Sequence, residues 1–386
     1  MNIRSLLTAF YSIYLYILGA LLRWTKPVDK VTLLVSFEEN AQAVINSYRA
    51  HSDSLSYDLT VLYTRHAVSL KDELSGLNSR YFNEKNPFHL FHAVLTLFKS
   101  KFVITDNYFL LTSALNNRPQ TKCIQVWHAN GSLKKFGLED VTNKQRSKQD
   151  IKRFKKVYRS FDYVTVGSEE MGRIFKNSFG VKDHQLLKIG VPLTDEYYQT
   201  TEKTQAEHLS SFSNKKIILY APTFRDYDMH SLRLPFTKEE LINELNGDYI
   251  LFVKLHPALR NKITVLSDGE YVKDVSDFRL KDLFTASDIL ITDYSSVPFE
   301  YAFLNKPMLF FTYDLKEYDE KRGLIDDYKA VIPGKACMNS GSLLEEIADP
   351  SADTEQIKRF SQKWNLYSKG SSSYNLLHFI EKNMRL

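Results

Sequence analysis

Apolar residues fall along this chain in short runs separated by stretches in which they recur every three or four positions. In the first half the runs Val31 to Ser36, Leu59 to Tyr63, Phe102 to Thr105, Lys122 to Val126 and Tyr163 to Val166 predict strands. Helices fit between them, for example over Phe88 to Lys99 and Ser168 to Asn177. Strands alternating with helices imply a parallel sheet with right-handed crossovers. A polar stretch from Thr200 to Lys216 interrupts the rhythm, which resumes with Ile217 to Ala221, Tyr249 to Val253, Asp288 to Thr292 and Pro307 to Phe311. The pattern predicts an α/β chain of two Rossmann-like domains, over 28–198 and 199–386. The second ends in two amphipathic helices between Asp353 and Leu386, with Trp364 and Tyr367 as anchors.

Length agrees with two domains, because 386 residues exceed one ordinary core. Aromatic residues at 13% exclude a disordered chain. The two cysteines, Cys123 and Cys337, lack metal-ligand spacing and point to a reducing, cytoplasmic compartment. No GxGxxG or Walker A pattern occurs, so the common dinucleotide and P-loop readings have no support.

Charge changes the picture in two places. Between Arg4 and Arg23 no residue is charged, and Arg4, Thr8, Ser12, Leu15, Gly19 and Arg23 form one weakly polar stripe against Leu, Ile, Phe and Tyr. Residues 1–27 therefore predict a monotopic helix on the cytoplasmic face of a membrane, rather than a span or a signal peptide. A helix packed on the first domain is the alternative. The run Lys144, Arg146, Lys148, Lys152, Arg153, Lys155, Lys156 and Arg159 predicts a cationic helix with Ile151, Phe154, Val157 and Tyr158 turned inward. It is either a solvated face or a contact with an anionic membrane surface. No recognition motif accompanies it, so nucleic acid is not an expected partner.

Candidate chemistry lies just after strands, where open α/β sheets bind ligands. Four strand ends are rich in polar residues: Trp127-His128-Ala129-Asn130-Gly131-Ser132, Ala221-Pro222-Thr223-Phe224-Arg225-Asp226, Lys254-Leu255-His256-Pro257 and Asp293-Tyr294-Ser295-Ser296. In the last, two hydroxyls open a helix over Val297 to Leu304, where free N–H groups favour a phosphate, and Glu300 is placed to accept from a ribose. His128 suits a general base, or else caps its strand end. His256, beside Lys254, suits stabilisation of a phosphoryl group, with the same structural alternative. Thr223 and Arg225 could bind a diphosphate, Arg225 through its bidentate fork, unless it pairs with Asp226.

Taken in order, these strand ends resemble the CDP-glycerol glycerophosphotransferases of wall teichoic acid synthesis. The matching residues are Trp127-His128 with Leu133-Lys134, Ala221 to Asp226, Lys254 to Pro257, and Ile291 to Ser296 with Glu300. The resemblance implies two facing domains of the GT-B kind, peripheral membrane attachment and CDP-glycerol as donor. It makes His128 the base and His256 the phosphate-stabilising residue. Trp127, Asn130, Gly131, Pro222, Thr223, Arg225, Lys254, Ser295, Ser296 and Glu300 become the donor contacts. Two departures stand out. Ala129-Asn130-Gly131 replaces a Gly-Thr-Pro segment, and Leu193 stands where polymerases of the family carry a donor-binding arginine.

With the apolar first helix, these departures resemble the primase branch. That branch adds one glycerol phosphate to an undecaprenyl-diphosphate-linked disaccharide of N-acetylmannosamine and N-acetylglucosamine. Polymerisation of glycerol or ribitol phosphate, nucleotide-sugar glycosyl transfer and a non-catalytic membrane scaffold are the rivals. No acidic cluster suggests a metal site, so no cofactor is expected and a divalent cation is left open.

Overall fold

The computed structural model describes residues 3–198, 209, 214–228, 232–256, 259, 264–265, 267–348 and 354–384. Two compact units divide the chain: Met1–Asn130, Phe136–Tyr198 and Asn365–Leu386 form one, Gly131–Lys135 and Gln199–Trp364 the other.

Unit 1 holds a seven-stranded sheet: β1 (Val28–Val35), β2 (Asp58–Tyr63), β3 (Asn78–Tyr81), β4 (Ser100–Thr105), β5 (Lys122–Gln125), β6 (Tyr163–Thr165) and β7 (Leu186–Leu187). The order is β3-β2-β1-β4-β5-β6-β7, with every pairing parallel. Successive side chains point to opposite faces and both faces are covered. Leu33, Val35, Ile104 and Ile124 enter one apolar cluster, while Leu34, Val103 and Cys123 enter another.

Unit 2 holds β8 (Lys216–Tyr220), β9 (Tyr249–Val253), β10 (Val272–Asp274), β11 (Ile289–Thr292), β12 (Met308–Phe311) and β13 (Ala336–Cys337), in the all-parallel order β10-β9-β8-β11-β12-β13. Strand order reverses between β1 and β4 in one sheet and between β8 and β11 in the other. Such switch points open a crevice at the carboxyl ends of the strands.

The expected tail assignment needs correction. Helix Thr354–Trp364 stays with unit 2, where Trp364 packs 4.5 Å from Phe299. Helix Ser372–Asn383 completes unit 1: Leu376, Leu377 and Ile380 share a cluster with Val44 and Ile45. The buried Asp195 carboxylate receives Ser372 and Ser373 N–H at 2.7 Å each, capping that helix.

The first helix, Ile3–Leu21, lies on unit 1 with Leu15 and Leu18 buried beside Leu97 and Leu111. Within the weakly polar stripe Leu15 is buried, Thr8, Ser12 and Gly19 are half-buried and Arg23 is exposed, so the middle of the stripe faces unit 1. Phe10, Ile13, Tyr16, Ile17, Leu21 and Trp24 are exposed instead. No described helix is long and apolar enough to cross a membrane. Helix Lys148–Tyr158 buries Val157 and Tyr158, and its lysines face outward. Both free cysteines are buried.

Candidate active site

In unit 1 the site grows from the ends of β1, β4 and β5. Asp106 follows β4 directly and is buried at the switch point. Its Oδ2 accepts the N–H of Ser36 at 2.8 Å and of Phe37 at 2.7 Å, both just past β1. Its Oδ1 is buried with no hydrogen-bond partner among the described residues. Burial pushes the carboxyl up to about 7 in spite of those two backbone bonds.

His128 follows β5 and sits between two rings: Phe37 stacks on it at 4.3 Å and Trp127 lies tilted at 4.2 Å. Its Nδ1 is 3.1 Å from the Asp106 carbonyl oxygen. A carbonyl only accepts, so Nδ1 carries the proton and a neutral ring keeps its lone pair on Nε2. That is the tautomer a general base requires.

Trp127 has φ +57°, a region costly for a bulky residue by about 1–2 kcal/mol. Its ring packs on Phe136 at 5.2 Å and Phe179 at 5.1 Å. Trp127, expected among the donor contacts, is thus a wall of the histidine's slot. Asn130 is fully buried and donates to Asn365 Oδ1, which secures the loop from within.

In unit 2 the crevice lies between β8 and β11. Asp293 follows β11 directly and is fully buried; its Oδ1 accepts Thr223 N–H at 2.8 Å and Tyr294 N–H at 2.6 Å. Arg225 donates to Asp293 Oδ2 and to the Thr223 carbonyl, both at 2.5 Å. It also reaches Asp314 through Nε at 3.0 Å and Nη2 at 2.8 Å. The guanidinium fork expected to grip a diphosphate is therefore turned inward and filled by carboxylates; it does not pair with Asp226. Burial opposes its charge, but Asp293 and Asp314 outweigh burial and hold it protonated. Lys254 likewise donates to the Ser276 carbonyl at 2.8 Å and to the Phe278 carbonyl.

The hydroxyls are placed differently. Thr223 is buried, and its Oγ1 has no hydrogen-bond partner among the described residues, an arrangement that suits a ligand or water. Ser295 and Ser296 are half-buried ahead of helix Val297–Tyr301, with Glu300 half-buried in it and Pro222 half-buried after β8. His256 is exposed and stacks on Phe224 at 5.2 Å. Pro257, the last residue of that strand-end segment, lies outside the described residues.

The segment Gly131–Lys135 forms a strap within unit 2. Lys135 N–H donates to the Gly323 carbonyl at 3.0 Å and Ile325 N–H to the Leu133 carbonyl at 3.1 Å. A Cβ on Gly131 would lie 2.5 Å from the Phe299 ring, so packing demands glycine there, and its donor-contact role has no separate support. Burial draws the Lys134 ammonium down to about 8, although Asp293 attracts it. Beside the strap, Lys135, Leu324, Asp326, Tyr328 and Lys329 line a cavity of about 460 Å³, within the range of small-molecule sites. Tyr328 donates to the Asp293 carbonyl at 2.9 Å. Among the described residues, no group of three or more His, Cys, Asp or Glu side chains converges to hold a metal.

Both crevices put polar groups where a nucleotide-dependent transferase needs them, and residues 20–382 match the family model for CDP-glycerol:poly(glycerophosphate) glycerophosphotransferase. The chain belongs to that family. This glycerophosphotransferase is 59% identical to the teichoic acid glycerol-phosphate primase of Bacillus subtilis strain 168 over 99% of each chain. It is 47% identical to the primase of the same description from Bacillus spizizenii, over 98% of this chain and 99% of the other. Its fold is similar to that of the wall teichoic acid polymerase TagF, with a TM-score of 0.78 and 21% identity over 99% of this chain and 96% of that one. The chain is a transferase of the teichoic acid pathway.

Phe37, Asp106, Asp293, Asp314 and Lys134 were not among this glycerophosphotransferase's expected site residues. For Asp106 a signal existed: it is an acidic residue directly after the apolar run Phe102 to Thr105, as Asp293 is after Asp288 to Thr292. The inward turn of Arg225 had no such signal, because its partner Asp314 is far along the chain.

Proposed function

We propose that this glycerophosphotransferase is a glycerol-phosphate primase, moving one glycerol phosphate from CDP-glycerol to a disaccharide of N-acetylmannosamine and N-acetylglucosamine on undecaprenyl diphosphate. The observation that carries the mechanism is the Nδ1 contact of His128 with a backbone carbonyl. It leaves Nε2 to take the proton of the attacking sugar hydroxyl. The freed oxygen attacks the β-phosphorus of the donor, the bond from that phosphorus to the bridging oxygen breaks, and CMP departs with the bridging oxygen.

Unit 2 supplies the donor contacts. Thr223, Ser295 and Ser296 offer hydroxyls to the diphosphate, and His256 offers charge to the leaving CMP. Identity of 59% and 47% to two glycerol-phosphate primases supports addition of a single unit.

The acceptor is a lipid, and the first helix suits a role at the membrane. Tyr16 and Trp24 are 77% and 78% exposed, and Phe88, following the Pro87 whose carbonyl accepts from Tyr14, is equally bare. Helices Ile3–Leu21 and Lys148–Tyr158 both pack on the turn Leu110–Asn117, which makes the apolar and the basic helix neighbours on unit 1. We place this flank on the anionic cytoplasmic leaflet, apolar side chains in the interface and lysines against lipid phosphates.

The test is incubation of purified protein with labelled CDP-glycerol and a short-chain analogue of the disaccharide lipid. A product heavier by one glycerol phosphate, with equal CMP release, is expected. A ladder would make the chain a polymerase, and activity with UDP-sugars alone would make it a glycosyltransferase. Co-sedimentation with anionic but not neutral vesicles tests the membrane flank; binding to neither would remove it.

A further inference from the structure

Trp127 is the one described residue of the strand ends that combines positive φ with a bulky side chain, and both of its peptide groups are held by buried side-chain amides. Its N–H donates to Gln125 Oε1 at 2.7 Å, and its carbonyl accepts from Asn40 Nδ2. Neither amide is free to drift. Gln125 Nε2 donates to the Asn107 carbonyl at 3.0 Å, and Asn40 Oδ1 accepts Leu193 N–H at 2.9 Å. Asn40 and Gln125 are 1% and 0% exposed.

The left-handed turn at Trp127 throws the next residue back across β4. That motion lets the His128 ring lie against Phe37 and bring Nδ1 to the Asp106 carbonyl. Phe37 is in turn fixed by the Asp106 carboxylate through its own N–H. A relaxed Trp127 would swing His128 out of this slot and release Nδ1 from its acceptor.

We infer that Asn40 and Gln125, with Asp106, are positioning residues that hold His128 in one orientation and one tautomer, so that its Nε2 is the basic nitrogen before substrate arrives. None of the three needs to touch the substrate. The inference rests on His128 being the base.

The first measurement uses the unaltered protein. Selective ¹⁵N-histidine labelling, with the His128 signal assigned by its loss in His128→Asn, should show Nδ1 protonated and Nε2 without a proton at neutral pH. The opposite tautomer would overturn the inference whatever any variant does. The second measurement is kinetic. Asn40→Ala should lower kcat by about 10- to 100-fold, as small misplacements of a catalytic group do, with KM for CDP-glycerol within about twofold. It should lower nothing further when added to His128→Asn. A purely structural role would instead reduce the folded fraction and leave kcat per folded molecule and the tautomer alone. If His128→Asn is inactive while Asn40→Ala turns over normally, the positioning role falls and the base stands. If His128→Asn turns over normally, the base itself falls.

Discussion

The two switch points are built on the same plan and differ in one charge. Asp106 follows β4 as Asp293 follows β11; each is buried and each receives two backbone N–H groups on its carboxylate. Asp293 also has Arg225, itself tied to Asp314, whereas Asp106 keeps one oxygen without a partner among the described residues and is pushed up to about 7. A buried carboxylate with a guanidinium is a fixed strut. Without one it titrates nearer neutrality, and here the backbone carbonyl of the same residue holds the histidine. The contrast sorts the residues by what they do. In unit 2 the charged groups hold one another and hydroxyls are left for ligand, while in unit 1 the neutral cradle is left for chemistry.

The largest expected effect is on the histidine side. His128→Ala should lower kcat about 10³-fold with little change in donor KM, whereas His256→Ala should cost about tenfold, read by CMP release. Equal losses would erase the distinction between the two crevices.

Arg225→Met removes the partner of Asp293 and Asp314 and should destabilise the protein by roughly 3 kcal/mol in urea unfolding, because the buried Asp293 and half-buried Asp314 carboxylates lose their counter-charge. A loss of donor affinity at unchanged stability would instead return Arg225 to the ligand.

Asp106→Asn should act in the opposite sense. The folded carboxyl keeps its proton up to about 7, while an unfolded one releases it near 3.8. The stability this group contributes is therefore complete below that value and is lost as pH rises through 7. The amide keeps an acceptor for Ser36 and Phe37 without the charge. The variant should match wild type at pH 4 and exceed it by about 2 kcal/mol at pH 8, half of a full conversion at ~1.4 kcal/mol per pH unit. A constant difference across that range would deny the shift.

The smallest effect is expected at Ser296→Ala, about a tenfold rise in KM for CDP-glycerol with kcat nearly unchanged, as one lost hydrogen bond to charge implies. No change would take Ser296 out of the donor site.

Much of the fold was legible because nine strands are buried on both faces and read as apolar runs. The four strands that escaped are β3, β7, β10 and β13, the outer strands of the two sheets. An edge need not be apolar, and β3 is exposed at all four positions. His128 and the hydroxyls at Thr223, Ser295 and Ser296 were legible from their places after strands. The helix Ser372–Asn383 was visible as a helix but not as part of unit 1, since amphipathicity shows that a face is covered and not by what. The inward lean of Arg225 and Lys254 was hidden for the same reason: sequence gives a side chain's charge, and only the fold gives its counter-charge.

The placement of residues 365–386 has a consequence for how the chain is made. Synthesis proceeds from the amino terminus, so every residue of unit 2 has been joined before the helix that covers Val44 and Ile45 exists. The unit begun first is finished last. Until then its apolar flank waits uncovered on the ribosome, and a fragment ending at residue 198 should stay in that half-built state, binding hydrophobic dyes and chaperones.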